Sequence, residues 1–339
     1  MKIAIHGSSK YTFSSRWIKY CESNQIPYKI VNAYDSDIIK QLEGCDCFMW
    51  QHTQAKYKDI IMAKQLIYAL ETSGMKVFPN FKTTWHFDDK IGQKYLLESL
   101  GLPKITSYVF YSKEDAIDWT LKTDFPKVFK LRGGAGSMNV LLAKTKSDAV
   151  LLINKAFGKG FNRYNWKHRF YEAIRKKKKG EAGIKDILAP LYYSFKKKPN
   201  DYSKYLGNEN GYAYFQDFIP NNQFDIRIIV VANKAFGIKR MNRKDDFRAS
   251  GSGTIIYNKE EIDEQCVKNA FDVNKILKAQ CIAYDFVFNS EKKPLIVEIS
   301  FGFSPTAYDD CEGYWDNNLN WHKGPINPYG WMIDSILKQ

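Results

Sequence analysis

Two acids near the C-terminal end of the chain stand where acids are seldom found. Asp285 lies inside the apolar run 283–288 and Glu298 inside the run 295–300, and the residues between, 289–294, have turn composition. If that hairpin closes symmetrically, with Asn289 facing Pro294, Asp285 falls directly opposite Glu298. Ser300 then shares their face, because side chains alternate along a strand. Directly opposed like charges destabilise a strand pair, so the arrangement calls for a counter-charge. A lysine or arginine would make it a structural pair. Two carboxylates and a hydroxyl are also the hard oxygen donors that suit Mg²⁺. Spacing alone leaves both readings open.

A second constellation is the stretch FPKVFKLRGGAGSMNV at 125–140, which reads as strand, glycine-rich turn, strand. Lys130 ends the first strand, and Gly133, Gly134, Gly136 and Ser137 form a turn whose successive N–H groups can wrap phosphate oxygens. No Gly-Lys-Ser/Thr opens a helix here, so this is not a Walker A loop. A plain flexible hairpin remains the alternative. Third comes FDIRIIVV (224–231), followed by IKRMNRKDDFRASGSG (238–253). Arg227, Lys239, Arg240, Arg243 and Arg248 lie on or beside these strands, and arginine forks match phosphate and carboxylate oxygens bidentately. The alternative is a solvated basic face. The histidines, at 6, 52, 86, 168 and 322, are scattered, and no Ser-His-Asp or Cys-His grouping offers a protein nucleophile.

The elements that must carry these residues fall into two styles. Over the first 82 residues, strand signals (2–6, 28–31, 47–50, 76–78) alternate with helix signals (around Trp17 to Cys21, 37–42, 57–71), the pattern of parallel βαβ units. Gly7-Ser8-Ser9 lacks the G-x-G-x-x-G spacing of a dinucleotide site, so an open α/β domain without one is expected. From Thr83 a helix over 88–100 leads into short strands expected at 107–111, 127–131, 140–143, 212–218, 226–231, 235–241, 253–257, 282–288 and 294–299. Helices at 113–120, 147–156 and 260–277 interrupt them, an α+β pattern. A basic segment at about 158–211 looks inserted, and 305–339 is an aromatic-rich tail in which Tyr314, Trp315, Trp321, Tyr329 and Trp331 could either bind a sugar ring or simply pack.

In this order the three constellations resemble the ATP-grasp ligases, over about residues 83–304, with residues 1–82 in the place of that superfamily's N-terminal α/β domain. The likeness is nearest to the ribosomal-protein glutamate ligase and glutathione-synthetase-like branch. It implies an α/β N-terminal domain (1–82) followed by an α+β ATP-grasp fold (83–339). WHFDDK at 85–90 is similar to the family's entry motif, which makes Lys90 the first nucleotide-binding lysine. Lys130 matches the second lysine, before the glycine flap of Gly133, Gly134, Gly136 and Ser137. YFQDFIP at 214–220 looks like the hinge strand, so Gln216, Asp217, Phe218 and Ile219 would border the adenine. Asp225 stands where the family holds the ribose hydroxyls. Lys239 is placed with the nucleotide, and Arg240, Arg243 and Arg248 resemble the arginines that face the transferring phosphate. Asp285 and Glu298 match the metal carboxylates, with Ser300 where the family has Asn. The resemblance implies ATP and Mg²⁺ (or Mn²⁺) and an ADP-forming carboxylate–amine ligase working through an acyl phosphate. The acceptor could be a uronic acid of a cell-surface polysaccharide, or a peptide or amino acid.

Composition sets the remaining bounds. Of 339 residues 44% are hydrophobic and 26% charged, which is globular. The net charge of +14 is concentrated: residues 155–209 hold 15 lysines and arginines against five acids. Such a patch fits a polyanion or an anionic membrane surface. Nucleic acid, bound without catalysis, is the contrasting reading, but no aromatic–basic interleaving of an RNA-binding type is present. The six cysteines, at 21, 45, 47, 266, 281 and 311, form no zinc pattern and fit a reducing compartment. No run approaches the ~20 apolar residues of a membrane span, and a cytoplasmic protein is expected.

Overall fold

A computed structural model of the chain describes residues 1–7, 12–133, 139–162, 201–242 and 254–338, with Ile174, Lys177 and Leu188. The described chain divides into two compact units: residues 1–53, 58–105 and 219–339 form the first, and residues 54–57 and 106–218 the second.

The first unit contains two sheets. Strands β1 (Ile3–His6), β2 (Tyr28–Val31), β3 (Cys47–Met49) and β4 (Lys76–Phe78) form a parallel sheet in the order β2-β1-β3-β4. Parallel neighbours need crossover connections, and α1 (Phe13–Ser23), α2 (Ile38–Gln41) and α3 (Tyr57–Thr72) supply them. Next come α4 (Phe81–Thr84), whose N-cap Asn80 accepts from the Thr83 amide, and α5 (Lys90–Ser99), capped in the same way by Asp89. Each cap satisfies one of the orphan N–H groups of a helix start.

The larger sheet is antiparallel. Its path runs β13 (Pro294–Ser300), β12 (Cys281–Phe288), β9 (Phe224–Val231), β10 (Lys234–Met241), β14 (Gly313–Asp316) and β15 (Trp321–Lys323), with β11 (Ile255–Ile256) paired to β10. On one face of it Ile226, Ile228, Tyr284 and Phe286 pack beneath the helix Glu264–Leu277. Residues of the first 82 share a core with this sheet, since Phe13, Trp17 and Phe78 cluster with Ile229, Phe236, Cys281 and Met332. The tail is structured: β14 and β15 extend the sheet, and a final helix, Pro328–Leu337, packs on α1.

The second unit holds an antiparallel sheet in the order β5 (Ser107–Phe110), β8 (Ala213–Asp217), β6 (Lys127–Lys130), β7 (Val140–Ala143). Helices α6 (Lys113–Thr120) and α7 (Lys146–Ala156) cover one face, with Phe129, Phe215, Ala149 and Ile153 in the core between. The Thr145/Asp148 capping box fixes where α7 begins.

Most expected strands and helices lie within two residues of the observed ones. Three differences stand out. The helix expected over 260–277 begins at Glu264, after a 3₁₀ turn at Lys259–Glu261, because Asp263 caps it. The strand expected over 253–257 is a two-residue bridge among the described residues. The tail carries two strands and a helix that its aromatic composition concealed.

Candidate active site

Strand alternation puts every second residue of the larger sheet on the face opposite the helix Glu264–Leu277. On β9 these include Asp225 and Arg227, on β10 Arg240, on β12 Asp285 and on β13 Glu298. Register makes them neighbours. Glu298 pairs with Asp285, Asp285 with Arg227, and Asp225 with Arg240. The result is a checkerboard of acids and bases across four adjacent strands.

The expected opposition of Asp285 and Glu298 is present, but the hairpin is not symmetric. Phe288, not Asn289, faces Pro294, and the register shifts between Asp285 and Phe286. Phe286 faces Ile296, which leaves Val297 as the extra residue of a bulge on β13. The bulge restores the pairing that the longer turn would have displaced by one.

The counter-charges come from arginine. Arg227 donates Nε and Nη2 to Asp285 at 2.5 and 2.9 Å, a fork-to-carboxylate pair. Arg240 reaches the same carboxylate through Nη2 at 2.9 Å. It also holds Asp225 bidentately, with Nε 2.7 Å from Oδ1 and Nη2 against Oδ2. Burial by itself would raise the Asp285 pKa, but the two guanidinium groups overcome it and hold the carboxyl down at about 2. The same carboxylates keep both arginines charged despite their burial.

Glu298 is held differently. Its partner is Lys90, at the first position of α5, with Nζ 3.3 Å from Oε1. The side chain of Glu298 is 24% exposed, against 10% for Asp285. Gln93 pins α5 beside this strand: its Oε1 accepts from the Ile299 amide and its Nε2 donates to the His86 carbonyl. Ser300 Oγ donates to the Gly302 carbonyl, 2.8 Å away, which leaves its lone pairs as acceptors or ligands.

This donor set fits a divalent cation. The Lys90 contact engages Glu298 through Oε1, and Mg²⁺ commonly takes one or two carboxylates and completes its shell with water and phosphate. Glu298 is the open donor; Asp285, with both oxygens engaged by arginine, would join it by giving up one of those contacts, and Ser300 could lend a third oxygen. Among the described residues no group of three or more His, Cys, Asp or Glu forms an all-protein cation cage.

In the second unit, Lys130 is buried and donates to Gln216 Oε1 at 2.6 Å, while Gln216 Nε2 reaches Ser107 Oγ at 3.2 Å. Asp217 takes the opposite side of β8, where it pairs with Lys127 at 2.6 Å. Two neighbouring residues of one strand cannot present side chains to the same face, so Gln216 and Asp217 are separated. Phe218 ends this unit and Ile219 begins the return to the first. Gly133 is buried at the turn after β6.

Other sequence-derived assignments come out differently. Lys239 is one residue from Arg240 and therefore faces the other way, with Nζ 2.6 Å from Glu261 and 4.2 Å over the Phe224 ring. Lys239, expected with the nucleotide, therefore lies on the face of β10 opposite Arg240. Asp225, expected at a ribose, has both oxygens engaged by Arg240. Gly134, Gly136, Ser137, Arg243, Arg248 and most of the basic segment lie outside the described residues. Sequence reasoning counted Arg227 among the arginines of these strands without giving it a partner, and it left out Tyr308 altogether. Arg227 was signalled by its place two residues after Asp225, on the same face of one strand. Tyr308, buried against Arg227, had no such signal.

Comparison with known proteins bears on the same elements. Residues 167–308 match the RimK-like ATP-grasp domain family, somewhat under half of the chain. No curated protein matches the chain by sequence. Among solved structures, a RimK domain protein ATP-grasp from Sphaerobacter thermophilus superposes with a TM-score of 0.59 at 12% identity, covering 99% of this chain and 100% of that one. D-alanine–D-alanine ligase from Bacillus anthracis, complexed with ATP, gives 0.55 at 14% identity, covering 100% and 96%. N5-carboxyaminoimidazole ribonucleotide synthetase from Thermotoga maritima gives 0.56 at 14% identity, covering 88% and 68%. The fold is therefore that of the ATP-grasp proteins, as the order of motifs implied.

Proposed function

We propose that this chain, built on the ATP-grasp fold, is an ADP-forming carboxylate–amine ligase that uses ATP and Mg²⁺. The observation that carries the reading is the opposition of Asp285 and Glu298 within a row that also holds Lys90, Arg227 and Arg240. Three acids (Asp225, Asp285, Glu298) face three bases, so the row is balanced before any ligand arrives. A nucleotide triphosphate and a divalent cation bring opposite charges and can be exchanged into such a row pairwise. Lys130, with Gln216 beside it, is the second group we assign to the nucleotide.

In the reaction, a substrate carboxylate oxygen attacks the γ-phosphorus of ATP and ADP leaves. The amine then attacks the acyl carbon, phosphate departs with the C–O bond electrons, and the amine gives up a proton. Mg²⁺ held by Glu298 and Asp285 would neutralise charge on the phosphates. The chain's own part is positional. Lys90, Lys130 and Arg240 hold phosphate oxygens, and Arg227 keeps Asp285 ionised and aimed. Fixed dipoles and charges of this kind cost no reorganisation when the phosphoryl group moves.

The finer reading is that the carboxylate belongs to a uronic acid of a polysaccharide or its precursor, with a peptide or amino-acid acceptor as the rival. Polyanion binding by the basic segment and a cytoplasmic location belong to the same proposal. The six cysteines stand as free thiols, and no helix among the described residues is long and apolar enough to cross a membrane.

The test is ADP and phosphate release from ATP and Mg²⁺ with a pool of uronates, amino acids, peptides and amines. Release that needs both a carboxylate and an amine is expected, and subdividing the pool identifies the pair. ATP consumption yielding a stable phosphorylated product would make the protein a kinase. Absence of ATP binding by calorimetry would overturn the nucleotide reading altogether.

A further inference from the structure

Apart from the charged row, the first unit contains a cavity of about 350 Å³. It lies where α1 meets the 3₁₀ turn Pro305–Tyr308 and the start of the helix Pro328–Leu337. At ~30 Å³ per water, it has room for a substituted monosaccharide rather than a single ion.

The walls divide by chemistry. Tyr20, Tyr308 and Tyr329 give apolar faces, and Ser23, Asn24 and Asn327 give hydroxyl and amide edges. A sugar ring presents the complementary mixture, C–H faces and hydroxyl rims. The charges are as informative. Arg16 and Lys19 are three residues apart on α1 and so share a face. Arg16 is paired with Asp309 at 2.6 Å and lies 5.7 Å over the Tyr329 ring. Lys19 is exposed and has no carboxylate partner among the described residues. With Asp309 counted, the lining carries one surplus positive charge, beside a helix start whose dipole has the same sign.

We propose that this cavity binds a sugar-sized anion, with its carboxylate or phosphate held by Lys19 and Arg16 and its ring against the tyrosine walls. Tyr308 ties the site to the rest of the molecule, for it lines the cavity and also lies against Arg227 of the charged row. The binding itself needs no nucleotide, so it can be measured separately from the ligase reading.

The probes are D-glucuronate and glucose 6-phosphate, with D-glucose and acetate as controls, titrated by ligand-observed NMR without ATP. At least one anionic sugar binds, roughly tenfold more tightly than either control. Preference between the two identifies carboxylate or phosphate as the recognised group. K19E and R16Q, at side chains on the surface of α1, each weaken that binding by about tenfold or more and leave the circular-dichroism melt in place. Absence of binding by both anionic sugars at about 50 mM, binding equal to that of glucose, or affinity unchanged in K19E would each overturn the proposal. K130M separates the two readings, since it is expected to weaken ATP binding and leave sugar binding intact. A protein that binds the anionic sugar and never binds ATP sinks the ligase reading alone.

Discussion

Arg227 faces Asp285 from the neighbouring strand, and its Nε and Nη2 stand 2.5 and 2.9 Å from the two carboxylate oxygens. Asp285 is buried and Arg227 mostly so, and Arg240 closes the arrangement from the other side. A buried charge held this way depends on its partners, because removing one strands the other in a low-dielectric interior. D285N keeps the shape and removes the charge, leaving two guanidinium groups to share Asp225. The expected loss is about 3 kcal/mol of stability, read as a lower urea midpoint at unchanged slope. A midpoint within error of the parent's would mean that the row contributes nothing to folding.

Glu298 calls for the opposite expectation. It is partly exposed and has one lysine contact at 3.3 Å, the kind of pair that contributes about 1 kcal/mol or less. E298Q is therefore expected to fold with nearly parental stability. If Glu298 holds the cation, its ATP turnover falls by about 100-fold, or ~2.7 kcal/mol of barrier, and more Mg²⁺ recovers part of the loss. Turnover at the parental rate, or a loss that Mg²⁺ does not touch, would remove Glu298 from the metal site.

Two lysines that look alike in sequence are separated by the fold. Lys130 is buried against Gln216, whereas Lys239 points to the other side of its sheet and pairs with Glu261. K130M removes a charged donor while nearly keeping its volume, and a hydrogen bond to a charged group contributes about 1.5–3 kcal/mol. ATP affinity measured by calorimetry should then fall by about 10- to 100-fold. K239M should leave it unchanged. The reverse ranking would place the phosphates on the wrong face of β10.

That Lys239 and Arg240 take opposite faces of β10 is a matter of parity, and parity was legible in the sequence. So was the isolation of Asp285 and Glu298 within apolar strands. What could not be read was register. Symmetric closure of the hairpin gave the right opposition through an incorrect turn, and the bulge at Val297 made up the difference. The pairing of Arg227, though not the residue itself, escaped for a related reason. Its partner Asp285 is 58 residues away, on a strand that comes to lie beside β9 only in the folded sheet. Of the two readings left open for the tail, packing holds for most of its aromatics: Trp315 and Trp321 pack on each other and Tyr314 stacks on His322, while Tyr329 lines a cavity. The Asn327–Pro328 start of the last helix, a cap followed by proline, was a signal that composition obscured.

Two buried histidines make the fold sensitive to acid. His52 hydrogen-bonds Thr84 through Nε2, while the Nδ1 atoms of His52 and of His86 are buried without a partner. Burial, reinforced by the charge of Lys64, lowers their pKa values to about 3 and about 4. Both imidazoles are therefore neutral in the folded protein at pH 5, whereas in the unfolded chain, with pKa near 6.5, they are mostly protonated. The unfolded state binds more protons between those limits, so stability is full above about pH 6.5 and drains away as the pH falls below it. At pH 5 each histidine accounts for a loss of about 2 kcal/mol relative to pH 7. Urea midpoints at the two pH values measure the sum. H86Q, which keeps a polar side chain of similar size and cannot titrate, should remove about half of the pH dependence. If the midpoints coincide at pH 5 and 7, or H86Q declines with acid as steeply as the parent, these imidazoles take up their protons inside the folded state.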